Sequence, residues 1–167
     1  MKRFKKFVAV LLACVMALTL LTACGGGGSA SGGSSNSGED VMKQLTAKIN
    51  ENTKDYGIVL TYDTQLDNRA AICGNVLIAK YEAGASDEEA TAAAMQAAGI
   101  NEKDYYIANY NPNGAAKLDM DKVASVLAGQ IVKEYHANKK VGKKIGYAGL
   151  ISDSGDLLSF YALVACK

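Results

Sequence analysis

From residue 40 onward, apolar residues recur at two spacings, three-to-four and two, and the switches between them mark out the elements. Asp40 is placed to cap a helix carrying Val41, Met42, Leu45 and Ile49 on one face, and Lys54-Asp55-Tyr56-Gly57 ends it. Ile58-Val59-Leu60 leads into Thr61-Tyr62-Asp63. A second helix starts at Thr64 or Asp67 and runs to about Tyr81. Its apolar residues Ala70, Ala71, Ile72, Cys73, Val76, Leu77, Ile78 and Ala79 surround most of its circumference, which predicts burial on several sides. Ser86-Asp87-Glu88-Glu89 is a capping box that opens an Ala-rich helix to about Ala98, stopped by Gly99. Residues 105–110 read as a short strand closed by the turn Asn111-Pro112-Asn113-Gly114. Asp119 caps a long helix to about Lys139, with Met120, Ala124, Leu127, Ile131 and Tyr135 along one face. Lys139 and Lys140 suit the negative end of its dipole. Two apolar runs, 145–151 and 157–165, flank Ser152-Asp153-Ser154-Gly155-Asp156 and predict a hairpin. This order predicts an α+β fold: an α-β-α sandwich of helices on a small antiparallel sheet, ending in a β-hairpin.

Ahead of residue 40 the pattern changes. Lys2, Arg3, Lys5 and Lys6 precede a nearly unbroken apolar run, residues 7–21. A charged start, a short apolar run and a small-residue cut site describe a secretory signal. The run is short for a bilayer-spanning helix, which needs roughly 20 residues. Leu21-Thr22-Ala23-Cys24 resembles the lipobox of bacterial lipoproteins. That resemblance implies cleavage between Ala23 and Cys24 and a diacylglycerol on the Cys24 thiol. Two acyl chains on one residue suffice for stable anchoring. Residues 25–38 are Gly, Ser, Ala and one Asn, a flexible tether whose ends sit roughly 20 Å apart. The run precedes no Gly-Lys-Ser/Thr, so it is not a phosphate loop. Three parts follow: a signal at 1–23, the lipidated cysteine and tether at 24–39, and a domain at 40–167 on the outer face of the cytoplasmic membrane.

The last part has 128 residues, enough for one domain with a real core. The chain holds 18 Lys and Arg, four of them in the signal, so the mature protein sets 14 cations against 17 carboxylates, net −3. That balance leaves no footprint for nucleic acid. Cys14 leaves with the signal, and Cys73 and Cys166 remain as an even pair in an exported domain. A disulfide between them is one reading, worth up to ~4–5 kcal/mol in the chain-entropy model. Two separately buried thiols is the other.

Chemistry-bearing residues are sparse. His136 is the only histidine, and no His/Cys/Asp cluster has metal-ligand spacing, so neither a metal nor another cofactor is expected. The pairs Glu88-Glu89 and Asp119/Asp121 have helix-capping roles to fill. No catalytic constellation stands out. Tyr105, Tyr106 and Tyr110 place three aromatics in six residues, a possible groove lining for sugar or peptide. Strand alternation puts Tyr106 and Tyr110 on one face and Tyr105 on the other; ordinary sheet packing is the competing use.

Three segments resemble a divergent SCP-like domain, also called the CAP domain, of the cysteine-rich secretory, antigen 5 and pathogenesis-related proteins. The first is Leu60-Thr61-Tyr62-Asp63-Thr64-Gln65-Leu66-Asp67-Asn68-Arg69-Ala70, similar to the entry of that family's second helix. The second is Tyr106-Ile107-Ala108. The third is Lys144-Ile145-Gly146-Tyr147-Ala148-Gly149 with Asp153-Ser154-Gly155-Asp156 and Phe160-Tyr161, similar to its terminal hairpin. The family's cleft carries two histidines and two acidic residues. Here Glu82-Ala83-Gly84-Ala85 stands where the first histidine belongs, Tyr105 where a glutamate does, and His136-Ala137-Asn138 is one residue short of the second histidine motif. The resemblance thus implies the fold and a cleft without its metal. The expectation is a membrane-anchored, non-catalytic binding domain at the cell envelope, with an envelope protein, peptide, lipid or glycan as ligand. The alternatives are an envelope hydrolase using His136 and a small solute-binding lipoprotein.

Overall fold

The computed structural model of the protein describes residues 37–112, 116–139, 141–151 and 156–166. The expected signal peptide, the expected cut between Ala23 and Cys24, the expected lipidation site, most of the expected tether, and residues 113–115 and 152–155 at the two expected turns lie outside these residues. Helix α1 is Ser37–Thr53, strand β1 Thr61–Tyr62, helix α2 Gln65–Glu82 and helix α3 Asp87–Ala97. Strand β2 is Tyr105–Tyr110, helix α4 Met120–Asn138, strand β3 Lys144–Ile151 and strand β4 Leu157–Ala165.

The four strands form one sheet in the order β1-β3-β4-β2. β3 and β4 are the expected hairpin, and β2 lies antiparallel on the other side of β4. β1 runs parallel to β3, with Thr61 beside Lys144 and Tyr62 beside Ile145. The sheet is therefore mixed and not, as expected from the sequence, antiparallel throughout, because β1 reaches β3 only through α2, α3, β2 and α4. Parallel neighbours need such a long crossover.

Both faces of the sheet are covered. Ile145 and Tyr147, Phe160, Ala162 and Val164, and Tyr106, Ala108 and Tyr110 share the main core with Leu45 and Ile49 of α1 and Leu127 and Ile131 of α4. Residues of opposite parity, Ala148, Tyr161, Leu163 and Ala165, meet Leu66, Ala70, Cys73 and Leu77 of α2 and Ala90 and Ala94 of α3. The result is the three-layer α-β-α arrangement, with α1 and α4 on one side and α2 and α3 on the other.

The local signals account for most helix ends. Ser86 and Glu89 form both bonds of the capping box, and Asp119 accepts from the Asp121 and Lys122 amides. Two expectations about the helices need correction as well. α1 begins at Ser37, so Ser37, Gly38 and Glu39 belong to the helix and not the tether; Glu39 and Asp40 in its first turn suit the positive end of the dipole. α2 is buried on one stripe, Leu66, Ala70, Cys73, Gly74 and Leu77, while Ile72 is 40% exposed. A helix lying on a sheet in the outer layer covers one face, however apolar the rest of its sequence.

Side chains complete the sheet where strands stop. The Asn50 amide donates to the Leu60 carbonyl and accepts its N–H, at 2.9 and 2.8 Å. On the opposite edge Gln130 does the same for Asn109, at 2.6 and 2.9 Å. Such pairing removes open edge groups that invite association.

Candidate functional site

The site grows from the point where β1 ends and α2 begins. The Asp63 N–H donates to the Ile145 carbonyl at 2.9 Å, the last backbone bond of the parallel pair. Its carboxylate then does two things: Oδ1 accepts from the Gln65 amide at 3.0 Å and Oδ2 from the Lys144 ammonium at 2.9 Å. The ammonium first, and then the amide, hold the Asp63 carboxyl below its ordinary range.

One turn further on, Asp67 lies under the sheet edge. It accepts from the Tyr147 N–H at 2.7 Å and from the Tyr62 hydroxyl at 2.5 Å. A carboxylate thus continues the β3 ladder where β1 has run out of residues. Burial raises the Asp67 carboxyl pKa, against the two hydrogen bonds that lower it. Tyr62 stacks on Tyr147 with centroids 5.8 Å apart. The Thr46 hydroxyl gives its proton to the Met42 carbonyl, so the Tyr147 hydroxyl donates to Thr46 at 2.8 Å.

Gly146 makes this closeness possible. A Cβ there would lie 2.4 Å from the Leu66 Cβ and 2.8 Å from the Asp67 nitrogen. Only glycine lets the first turn of α2 rest on β3 and bring Asp67 to the Tyr147 N–H.

On the outer side of the same turn lies a groove of about 230 Å³, lined by Asp63, Gln65, Leu66, Arg69, Tyr105, Lys144 and Ala165. Leu66 and Ala165 are buried apolar residues beneath it. An Arg69 Nη1–H donates to the Tyr105 hydroxyl at 3.3 Å. Arg69 makes no ion pair among the described residues, whereas Lys144 is engaged by Asp63.

The residues singled out from sequence scatter across this structure. Tyr105 lines the groove. Tyr106 and Tyr110 are buried among the main-core residues, at 6% and 7% exposure, and so are not groove residues. The alternation was right, but α1 and α4 cover the face that carries them. The Tyr106 hydroxyl is enclosed without a hydrogen-bond partner among the described residues, and burial raises its pKa. His136 sits on α4, across the sheet from the groove, with its ring 5.4 Å from those of Tyr56 and Tyr135. Among the described residues, no hydrogen bond joins it to a carboxylate or hydroxyl that would orient a general base.

Cys73 and Cys166 are not joined. Cys73 packs with α2 and α3 and points its sulfur at the Ala94 carbonyl, 3.7 Å away. Cys166 packs against the core on the other face. The sheet stands between them in this structure, whereas a disulfide requires a short approach.

Sequence reasoning missed Asp63, Arg69 and Lys144 as a group. All three lay within the segments that suggested the SCP-like resemblance, and the Thr61–Lys144 register brings those segments together. Among the described residues, no three His, Cys, Asp or Glu side chains cluster so as to hold a metal ion. No helix among them is long and apolar enough to cross a membrane. No protein-family model matches the chain, and no curated protein or solved structure is significantly similar to it.

Proposed function

We propose that this chain is a membrane-anchored extracytoplasmic lipoprotein whose folded domain binds a ligand, without catalysis, in the groove between Arg69 and Tyr105. The observation that carries the anchoring is Leu21-Thr22-Ala23-Cys24 followed directly by a Gly/Ser run that has no other evident use. The groove supports the binding part: its lining is mainly polar and carries the Arg69 and Lys144 cations and the Tyr105 hydroxyl, with Leu66 and Ala165 buried beneath. Small-molecule sites fix a ligand's orientation through a few placed polar groups of this kind. The hydrolase alternative through His136 draws no support from its surroundings, where its ring neighbours are tyrosines. We also read the domain as a divergent SCP-like fold. What supports this is the three-layer arrangement and the meeting of the first and last motif segments at the β1–β3 pair.

The test of anchoring is Cys24→Ser in the producing cell. The variant is expected in the soluble fraction, or as an uncut precursor. Normal maturation with unchanged membrane retention overturns the proposal.

A further inference from the structure

We infer that the groove beside α2 takes a carboxylate carrying a short apolar group, as at the end of a peptide or on a small free acid. This rests on the binding reading above and deepens it. Arg69 is the central donor. Its guanidinium presents five N–H groups, and among the described residues one is engaged, with the Tyr105 hydroxyl. A planar fork of spare donors matches the two oxygens of a carboxylate.

Tyr105 adds a second donor through a simple proton count. Its oxygen accepts the Arg69 hydrogen, and its own proton has no acceptor in that bond. The proton is left to donate to a ligand oxygen beside the guanidinium. Lys144 adds charge from the opposite wall, and its ammonium has hydrogens beyond the one given to Asp63.

Charge decides which anion fits. Arg69 and Lys144 bring two positive charges to the groove and Asp63 one negative, so the wall carries a single net positive charge. A monoanion balances that charge. A phosphate dianion would meet the Asp63 carboxylate without a compensating cation. Size limits the ligand further. About 230 Å³ is below the ~300 Å³ at which pockets begin to hold drug-sized molecules, so a terminal group enters and the rest stays outside. Leu66 and Ala165, nearly covered, leave a small apolar area in the lining, enough for no more than a methyl-sized substituent.

The test uses the full mature lipoprotein in neutral detergent micelles. Calorimetry compares acetyl-Ala-Ala as the free acid, the same dipeptide as its C-terminal amide, propionate, and inorganic phosphate. The free acid is expected to bind at least tenfold more tightly than the amide. Arg69→Gln should weaken it at least tenfold, and Tyr105→Phe several-fold, both with unchanged melting temperatures. A dipeptide that outbinds propionate identifies a peptide end as the ligand, and equal binding identifies a small acid. Three results overturn the inference: equal binding of acid and amide, full binding by Arg69→Gln, or tighter binding of phosphate. The anchoring reading is judged separately. Should the carboxylates fail while Cys24→Ser still releases the protein, the lipoprotein stands and this inference falls. Should Cys24→Ser leave the protein on the membrane, the anchoring fails whatever the titrations give.

Discussion

Asp67 shows how much one side chain can carry. Its two oxygens accept from a strand amide and a tyrosine hydroxyl that bond no other acceptor among the described residues. Asp67→Ala leaves both unsatisfied and should destabilise the domain by about 1–3 kcal/mol in chemical denaturation. Asp67→Asn keeps an acceptor for the Tyr147 N–H and removes the half-buried charge. The wild-type carboxyl has its folded pKa raised above the ordinary value of 3.8. Its favourable contribution is therefore complete below that value and fades as pH rises through the folded pKa. The asparagine variant does not titrate, so its stability relative to wild type should improve between about pH 4 and pH 7. Melts at both pH values check this; a difference that does not change with pH means the carboxylate suffers no burial penalty. At Gly146, Ala would place a methyl against helix backbone that cannot rotate away. We expect a loss of at least about 1–3 kcal/mol, the usual range for overpacking, read as a lower urea midpoint. An unchanged midpoint would mean that α2 does not press on β3 as described.

At the scale of elements, the helices do more than cover the sheet. α1 and α4 each extend an amide to an outer strand and pair with it as another strand would. Gln130→Ala should leave the Asn109 N–H and carbonyl without partners, costing about 1–3 kcal/mol. It should also expose a strand edge and promote self-association at high concentration. Gln130→Glu is the contrast, since it still accepts from the Asn109 N–H but sets a carboxylate oxygen against the carbonyl; its loss should match or exceed that of alanine. Denaturant unfolding with sedimentation reads both effects, and equal stability of all three proteins would make the Gln130 contact incidental. The same element logic explains why α2 has so apolar a sequence and yet one buried stripe: α3 shields only part of its outer side, and Ile72 stays exposed.

Across the whole molecule, the sheet acts as a partition. It keeps Cys73 with α2 and α3 and Cys166 with α1 and α4. Protein matured in an oxidising compartment, with Cys24 acylated, should therefore yield two alkylated thiols when denatured without reduction. In the native state Cys73 should react slowly, since burial pushes its thiol up to about 11 and little thiolate forms at neutral pH. Absence of labelling in the denatured, unreduced protein would mean that the two cysteines meet, and the layer order would be wrong.

Local rules written in the sequence determined most elements of this fold. The capping box at Ser86, the Asp119 cap, the helix face through Leu127 and Ile131, and the hairpin of apolar runs all depend on neighbours a few residues apart. Such short-range signals survive in a linear reading. They also placed Tyr105 and Tyr106 on opposite faces. Which of those faces is open was decided by tertiary structure alone, because α1 and α4 arrive from far along the chain to bury Tyr106 and Tyr110. The parallel pairing of β1 with β3, the separation of the two cysteines and the meeting of Asp63, Arg69, Tyr105 and Lys144 have the same origin. Each depends on how residues far apart in the chain are placed, from Arg69 and Tyr105, 36 positions apart, to Cys73 and Cys166, 93 apart, and no local periodicity encodes such a relation. The proposed anchor is the reverse case. Charged start, apolar run, Leu21-Thr22-Ala23-Cys24 and the Gly/Ser run are contiguous in the chain, and signals of this kind are read as extended segments, so the proposal rests on the sequence and needs no fold.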